Sequence, residues 1–425
     1  MKTGVKYIAV FLGFLLSGTS ILASYAASLP AGSTELSALI DEAVQNNPRI
    51  QAVYSKWKAV EYKAAQESSL PDPMLSYGYF GKNVQTRVGP QEQKFGISQK
   101  VPFPGKLKSK KNVKTAQAQS MEKQYEAVKM EIIKQVKLVY YDLSWIDIAI
   151  RITEGEKAVL ENLEKVSQKK YESNLTPQQD VIKAQIELSR MIDKLLLLNQ
   201  NRKSRQAQLN NLLSRDKNTE CAAINVSEPD KFSYDLEELQ SMAKETRQEL
   251  AAAGYDIESA EYEQALARLD TLPDFTLGVD YIQVGSGHTT MPNDGEDAWI
   301  GTVSVNIPLW NDKIAAERKE KKALLNAVMK NREDIENTII YEVDDIYFKI
   351  ETLKNIISLY KTTLIPQTEQ AFDAAKVSYE TGKIDFLNWL DAEQAVLQTR
   401  LAYYKSIIDY QKSIANLERV VGREL

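Results

Sequence analysis

This chain lays out one long plan twice, and any fold it adopts must accommodate both copies. Leu70-Pro71-Asp72 returns as Leu272-Pro273-Asp274, ISQKVPFP at 97–104 returns as VSVNIPLW at 303–310, and Tyr171 returns as Tyr379. The offsets are 202, 206 and 208, a drift that small loop insertions explain. Repeats this long are a duplication within one fold, because solenoids stack many short units. Each copy reads helix, two strands, long helix, tip, helix. The first copy, 28–213, places helices at 36–68, 106–172 and 178–213 around a strand hairpin at 74–101. The second, 236–425, places them at 236–271, 312–381 and 385–421 around a hairpin at 275–307, and residues 214–235 link the two.

The helices set the scale. From Lys106 to Glu172 there is no proline and a single glycine, Gly155, so the stretch predicts a rod about 100 Å long. Residues 312–381 predict about 105 Å, with Pro366 as the one expected kink. The other helices are about half as long, at roughly 50–55 Å. The expected architecture is a layer in which each long rod lies beside two stacked half-rods.

The strands pose a different problem. They are read at 74–81, 94–101, 275–284 and 299–307, with long polar loops at 82–92 and 286–297. Phe275, Leu277, Val279 and Tyr281 alternate with Thr276, Gly278 and Asp280, and Val303, Val305 and Ile307 alternate with Thr302, Ser304 and Asn306. Period two with one polar face marks a half-buried antiparallel strand. Four such strands have no apparent apolar cover and would leave open edges. Closure with neighbouring copies removes the edges, and these lengths suffice to cross a bilayer at a tilt. Trp299 and Trp310 bracket the last strand roughly 28 Å apart, near the spacing of aromatic girdles, although tryptophan also closes strands in soluble sheets. The fold class expected is mainly α with a transmembrane β-barrel contribution. Two, three or more copies would satisfy it.

Residues 1–27 read as a secretory signal peptide, with lysines at 2 and 6, an apolar run from Tyr7 to about Leu16, and small residues at Ser24, Ala26 and Ala27. The run is too short to cross about 30 Å of hydrocarbon as a helix. No cysteine stands near the cut to carry a lipid anchor, and the one cysteine, Cys221, can form no internal disulfide. The formal charge of −5 becomes −7 once Lys2 and Lys6 leave, which argues against a nucleic-acid partner. With one histidine, His288, and one cysteine, no catalytic triad, metal centre or cofactor site is expected. Acids such as Glu342, Asp344 and Asp345 lie among lysines at helical spacing and read as a solvated face. Eight scattered methionines, among them Met74 and Met291, form no metal cluster.

SLPDPMLSYGYF followed by KFGISQKVPFPGKLKSK resembles the first strand hairpin of the TolC-like outer-membrane efflux proteins, in particular members that serve heavy-metal-type resistance-nodulation-division pumps. The duplicated plan extends the resemblance over nearly all the chain after the leader. It implies a homotrimer in the outer membrane, with twelve strands in one barrel and twelve helices in a periplasmic tunnel. Residues 214–235 and the chain ends fall at an equatorial ring. The implied partners are outer-membrane lipid, a periplasmic adaptor and an inner-membrane pump whose substrate the duct conducts outside. Type I protein secretion is an alternative route. A periplasmic coiled-coil adaptor or scaffold is another, but adaptors carry one helical hairpin and this chain has two.

Both hairpins pass from tyrosine and glutamate through a turn residue, Asn174 or Gly382, that can take the left-handed conformation ending a helix. Pro177 and Asp385 suit the first turn and cap of the returning helices. The resemblance makes Asn174, Leu175, Thr176 and Pro177, with Thr381, Gly382, Lys383 and Ile384, the tips that contact the adaptor. It makes Asp391 one of two gate aspartates, with Asn388 at the other place. Asp180 matches an aspartate held by an arginine, for which Ile384 stands here, so closure is expected to rest more on Phe386, Leu387 and Trp389. Tyr171 and Tyr379 suit helix-end packing or a gate equally well, and Asp391 could be a solvated helix position.

Overall fold

The computed structural model describes residues 32–221, 224, 232–288 and 290–425. The leader read at 1–27 lies outside the described residues, as do 222, 223 and 225–231 of the 214–235 link. Nothing in α3 (Lys106–Glu172) stops a helix, and it runs unbroken for 67 residues. Beside it lie α1 (Gly32–Asn46), α2 (Pro48–Glu67) and α4 (Gln178–Leu213). In the second copy α5 (Leu236–Thr246), α6 (Gln248–Leu269) and α9 (Phe386–Val421) flank a rod of α7 (Asn311–Leu359) and α8 (Ile365–Glu380). The kink expected at Pro366 appears as a π-helical turn over Tyr360–Leu364. Proline has no N–H to give the preceding turn, and the wider turn absorbs the mismatch.

Two helices read as continuous are broken. The first, at 36–68, divides at Asn47, because Pro48 disfavours helical backbone in the residue before it. Asn47 then caps α2, accepting from the Arg49 amide (2.9 Å) while its Nδ2 donates to Leu212 O at the end of α4 (2.8 Å). The second, at 236–271, divides at Arg247 with no proline present. Here Thr246 Oγ1 donates to Val421 O (2.6 Å) and Gln248 Nε2 to Gly422 O (2.7 Å). Both breaks thus satisfy the last carbonyls of the helix returning from a tip, which a helix leaves without partners. Gly422 (φ 91°) ends α9 where a Cβ would stand 2.7 Å from Thr246 O.

The loop read at 82–92 is instead strand. β1 (Met74–Thr86) and β2 (Gly89–Val101) pair past a bulge between Tyr79 and Val84 up to a turn at Arg87 and Val88. With β3 (Phe275–Val284) and β4 (Ala298–Val305) they form one antiparallel sheet in the order β1-β2-β3-β4. The sheet does not close within the chain, so β1 and β4 are its edges. β4 stops at Val305, short of the expected 307.

Each copy has its own core midway along the rods. Leu39, Val136, Tyr140, Leu143 and Leu209 centre the first, and Leu239, Ile339, Val343, Ile350 and Leu417 the second. The third cluster, near the tips, is shared by both hairpins. Among the described residues no helix is long and apolar enough to cross a membrane.

Candidate functional site

Residues paired across an antiparallel ladder share a face. One row holds Tyr77, Phe95, Tyr281 and Trp299; the next holds Leu75, Ile97 and Val279; Leu277 with Val303 and Phe275 with Val305 follow. All of these but Phe275 are exposed large apolar side chains. The opposite face carries Ser76, Ser98, Gly278, Thr276, Thr302 and Ser304, with Lys94 and Asp280 paired at 3.0 Å. Trp299 joins the aromatic row at one end, while Trp310 precedes α7 at the helical end and is also exposed. One face is apolar and the other mostly polar, with Met74 and Ile300 as exposed apolar side chains on it.

At the far end of the rods the two tips fold alike. Leu175 N–H reaches Lys170 O (2.8 Å) and Asn174 N–H reaches Tyr171 O (2.9 Å). In the second tip Lys383 N–H reaches Ser378 O (2.8 Å) and Gly382 N–H reaches Tyr379 O (3.1 Å). Asn174 (φ 54°) and Gly382 (φ 72°) both adopt the left-handed backbone that this helix ending uses. Asp385 caps α9 by accepting from the Asn388 amide (3.0 Å) and its Nδ2 (2.7 Å). Pro177 precedes α4 with no side-chain cap, and the Thr176 hydroxyl donates to Asp180. Asn174, Leu175, Pro177, Thr381, Gly382 and Lys383 are exposed, whereas Ile384 packs on the shared cluster.

The structure separates the two tyrosines. Tyr379 is 3% exposed, packed at a tilt of 31° against Trp389 (4.9 Å between rings) and edge-on to Phe386 (6.0 Å). Lys170 Nζ of the other hairpin lies 4.0 Å from its ring centre and donates to its carbonyl (2.7 Å). Burial pushes the Tyr379 phenol up, and the nearby Asp180 charge adds to this. Tyr171 is 42% exposed. On α9, Phe386, Trp389, Leu390, Glu393, Val396 and Leu397 form the buried stripe. Leu387, Asn388 and Asp391 face away from it, and Asp391 has no ion-pair partner among the described residues. Of the three side chains expected to pack at closure, Phe386 and Trp389 therefore join the hairpins inside the chain, and Leu387 is free.

A group of acids absent from the sequence reading lies just above. Glu156 of α3, Glu187 of α4 and Glu393 of α9 each sit on their helix's apolar stripe and are at most 7% exposed. That position was the available signal, since a carboxylate at the core spacing of a helix needs a partner. Burial, then hydrogen bonding to Glu156 and the charges of Glu156 and Glu187, push Glu393 up to about 8, against the pull of Lys194. Arg400 of α9 approaches Glu156 (3.8 Å) and pairs with Glu369 of α8 (2.8 Å), and Arg190 pairs with Glu187. Among the described residues no group of acids, histidines or cysteines is arranged to hold a metal ion.

This has a pH consequence. The folded protein keeps a proton on Glu393 that the unfolded chain releases near 4.5. The stability contributed by this proton is therefore fully present below that pH, falls as pH rises, and is lost above about 8, with a slope of at most about 1.4 kcal/mol per pH unit. Glu393→Gln is expected to flatten the decline in thermal stability between pH 5 and 8.5. Parallel curves for the two proteins would refute the assignment.

The Outer membrane efflux protein family matches residues 39–215 and 239–423, one segment in each copy. CzcC, the cobalt-zinc-cadmium resistance protein of Cupriavidus metallidurans, is 35% identical over 63 residues, which are 15% of this chain and 15% of that protein. The solved outer membrane protein VceC of Vibrio cholerae is 17% identical, with a TM-score of 0.78 over 92% of this chain and 97% of that one. The CmeC outer membrane channel of Campylobacter jejuni is 17% identical, with a TM-score of 0.74 over 91% and 85%. The solved structures share the fold, and the family match spans both duplicated halves. The chain thus belongs to the outer membrane efflux protein family, as a TolC-like protein of the outer membrane.

Proposed function

We propose that three copies of this chain form the exit duct of a tripartite efflux system. Twelve strands close one barrel and twelve helices form the tunnel. The duct takes substrate from an inner-membrane pump of the resistance-nodulation-division type through a periplasmic adaptor to the outside. The observation that carries this reading is the sheet, with one exposed apolar face and two free edges. Lipid accounts for the face and neighbouring copies for the edges, with Trp299 and Trp310 as girdle residues. The partial likeness to CzcC supports metal cations as cargo.

In this reading residues 174–177 and 381–384 dock on the adaptor. Gly382→Pro tests it, because proline can supply neither the positive φ nor the N–H given to Tyr379 O. Trimers are expected in the outer membrane while metal resistance falls to the level of a deletion strain. Undiminished resistance would remove the tips from the mechanism.

Asp391, with Asn388 one turn before it, lines the mouth. Three Asp391 carboxylates around a threefold axis attract cations into a narrow opening. In planar bilayers Asp391→Asn is expected to weaken block by divalent or trivalent cations added from the periplasmic side, and Asn388→Asp to strengthen it. If neither change alters block, Asp391 is a solvated helix position.

A further inference from the structure

The duplication lets the geometry inside one chain stand for the geometry between chains. In the first copy β1 pairs with β2, Met74 opposite Ser98; in the second β3 pairs with β4, Thr276 opposite Ser304. The offsets of 202 and 206 found in the sequence carry the first pairing onto the second residue for residue. β3 is thus the counterpart of β1, and β4 of β2. The copies meet where β2 pairs with β3, Val101 opposite Phe275 and Ile97 opposite Val279. The same offsets turn that pairing into one between β4 and β1, the two edges without partners in the chain.

We propose that β4 of one copy pairs antiparallel with β1 of the next, with Val305 opposite the neighbour's Leu75, Val303 opposite its Tyr77 and Gly301 opposite its Tyr79. This rests on the barrel reading above and specifies its seam. The register keeps the faces continuous, since Leu75, Tyr77, Val303 and Val305 all lie on the apolar side. A slip of one residue would turn one strand's apolar side chains to water.

The seam also acquires a latch that differs from its counterpart. Inside the chain, Asp274 ties β3 to the start of α3. Its Oδ1 accepts from the Phe103 amide (3.0 Å) and Lys106 Nζ (2.8 Å), and Lys100 Nζ lies 3.2 Å from Oδ2. Burial raises the Asp274 carboxyl, but these donors outweigh it and hold it at about 2. Asp72, its counterpart, is exposed and has no partner among the described residues. At the seam Asp72 accepts from the amide of the next copy's Leu309, the counterpart of Phe103. The counterparts of Lys100 and Lys106 are Asn306 and Asp312. The seam therefore keeps the amide, lacks both ammonium groups and brings two carboxylates together, so it is the weaker of the two joints. Tyr171, exposed where its counterpart Tyr379 is buried against the other hairpin, fits the same relation at the tips.

Cysteine pairs in a Cys221→Ser background test the register. Val303→Cys is combined in turn with Tyr77→Cys, Leu75→Cys and Tyr79→Cys, and the intact protein is oxidised in outer membranes. The Tyr77 pair is expected to give covalent oligomers on non-reducing gels several-fold more efficiently than the two slipped pairs. Preference for a slipped pair, or no cross-link from any pair in protein that migrates as a trimer, would overturn the register. Absence of a trimer altogether would overturn the barrel reading and this proposal with it.

The latch is tested separately. Asp312→Lys supplies the missing ammonium and is expected to raise the temperature at which trimers dissociate in detergent, less so at high salt. Adding Asp72→Asn should abolish the gain. No rise, or a rise that survives Asp72→Asn, would overturn the latch.

Discussion

Arginine in place of Val303 is expected to prevent stable insertion, whereas arginine in place of the adjacent Thr302 leaves it intact. Val303 is 70% exposed on the apolar face and pairs with Leu277, while Thr302 lies on the opposite face and pairs with Gly278. An arginine on the lipid side near mid-membrane costs about 2–4 kcal/mol, and one in a water-filled lumen costs little. The measurement is the fraction of protein in the outer-membrane fraction that resists urea extraction, together with heat-modifiable migration on gels. Equal tolerance of the two substitutions would refute the assignment of faces.

A comparable loss is expected at the opposite end. Phe386 is fully buried where α9 meets the first hairpin, edge-on to Tyr379 and packed with Leu160, Leu163 and Ala184. Phe386→Ala removes about 3–5 kcal/mol of packing. It does so at the cluster that joins the two hairpins near their tips, far from the sheet. The resting conductance of purified trimers should rise and the tips should become sensitive to protease, while trimers still form. Phe386→Leu, which keeps most of the volume, should behave almost as the parent protein. Unchanged conductance in Phe386→Ala would show that the shared cluster does not hold the mouth.

Local signals account for what could be read in the sequence. The bounds of α3 follow from the absence of proline, and the disturbance before Pro366 follows from its presence. Asn174 and Gly382 take positive φ because the residue types that tolerate it stand where both helices end. The alternation in β3 and β4 foretold the two faces of the sheet because a strand has a fixed period of two.

What was missed depends on distant partners. The break at Arg247 has no proline to announce it and is fixed by bonds to carbonyls about 175 residues along the chain, at Val421 and Gly422. KNVQTRVGPQE looks like a loop by composition, yet pairing between its own ends makes it a projecting hairpin. The Glu156, Glu187 and Glu393 cluster draws one residue from each of three helices. Each acid stands on the apolar stripe of its own helix, but which other acids it meets appears only when the helices pack. Asp391 and Asn388 were placed from the resemblance, and the structure adds the face of α9 they occupy.

Conductance of the purified protein in a planar bilayer tests the central claim, that copies of this chain close a water-filled duct through the outer membrane. The account predicts discrete insertion steps, each from one trimer, small while the mouth is closed and enlarged by Phe386→Ala. A protein released from the cell envelope without detergent, which leaves the bilayer silent, would contradict it.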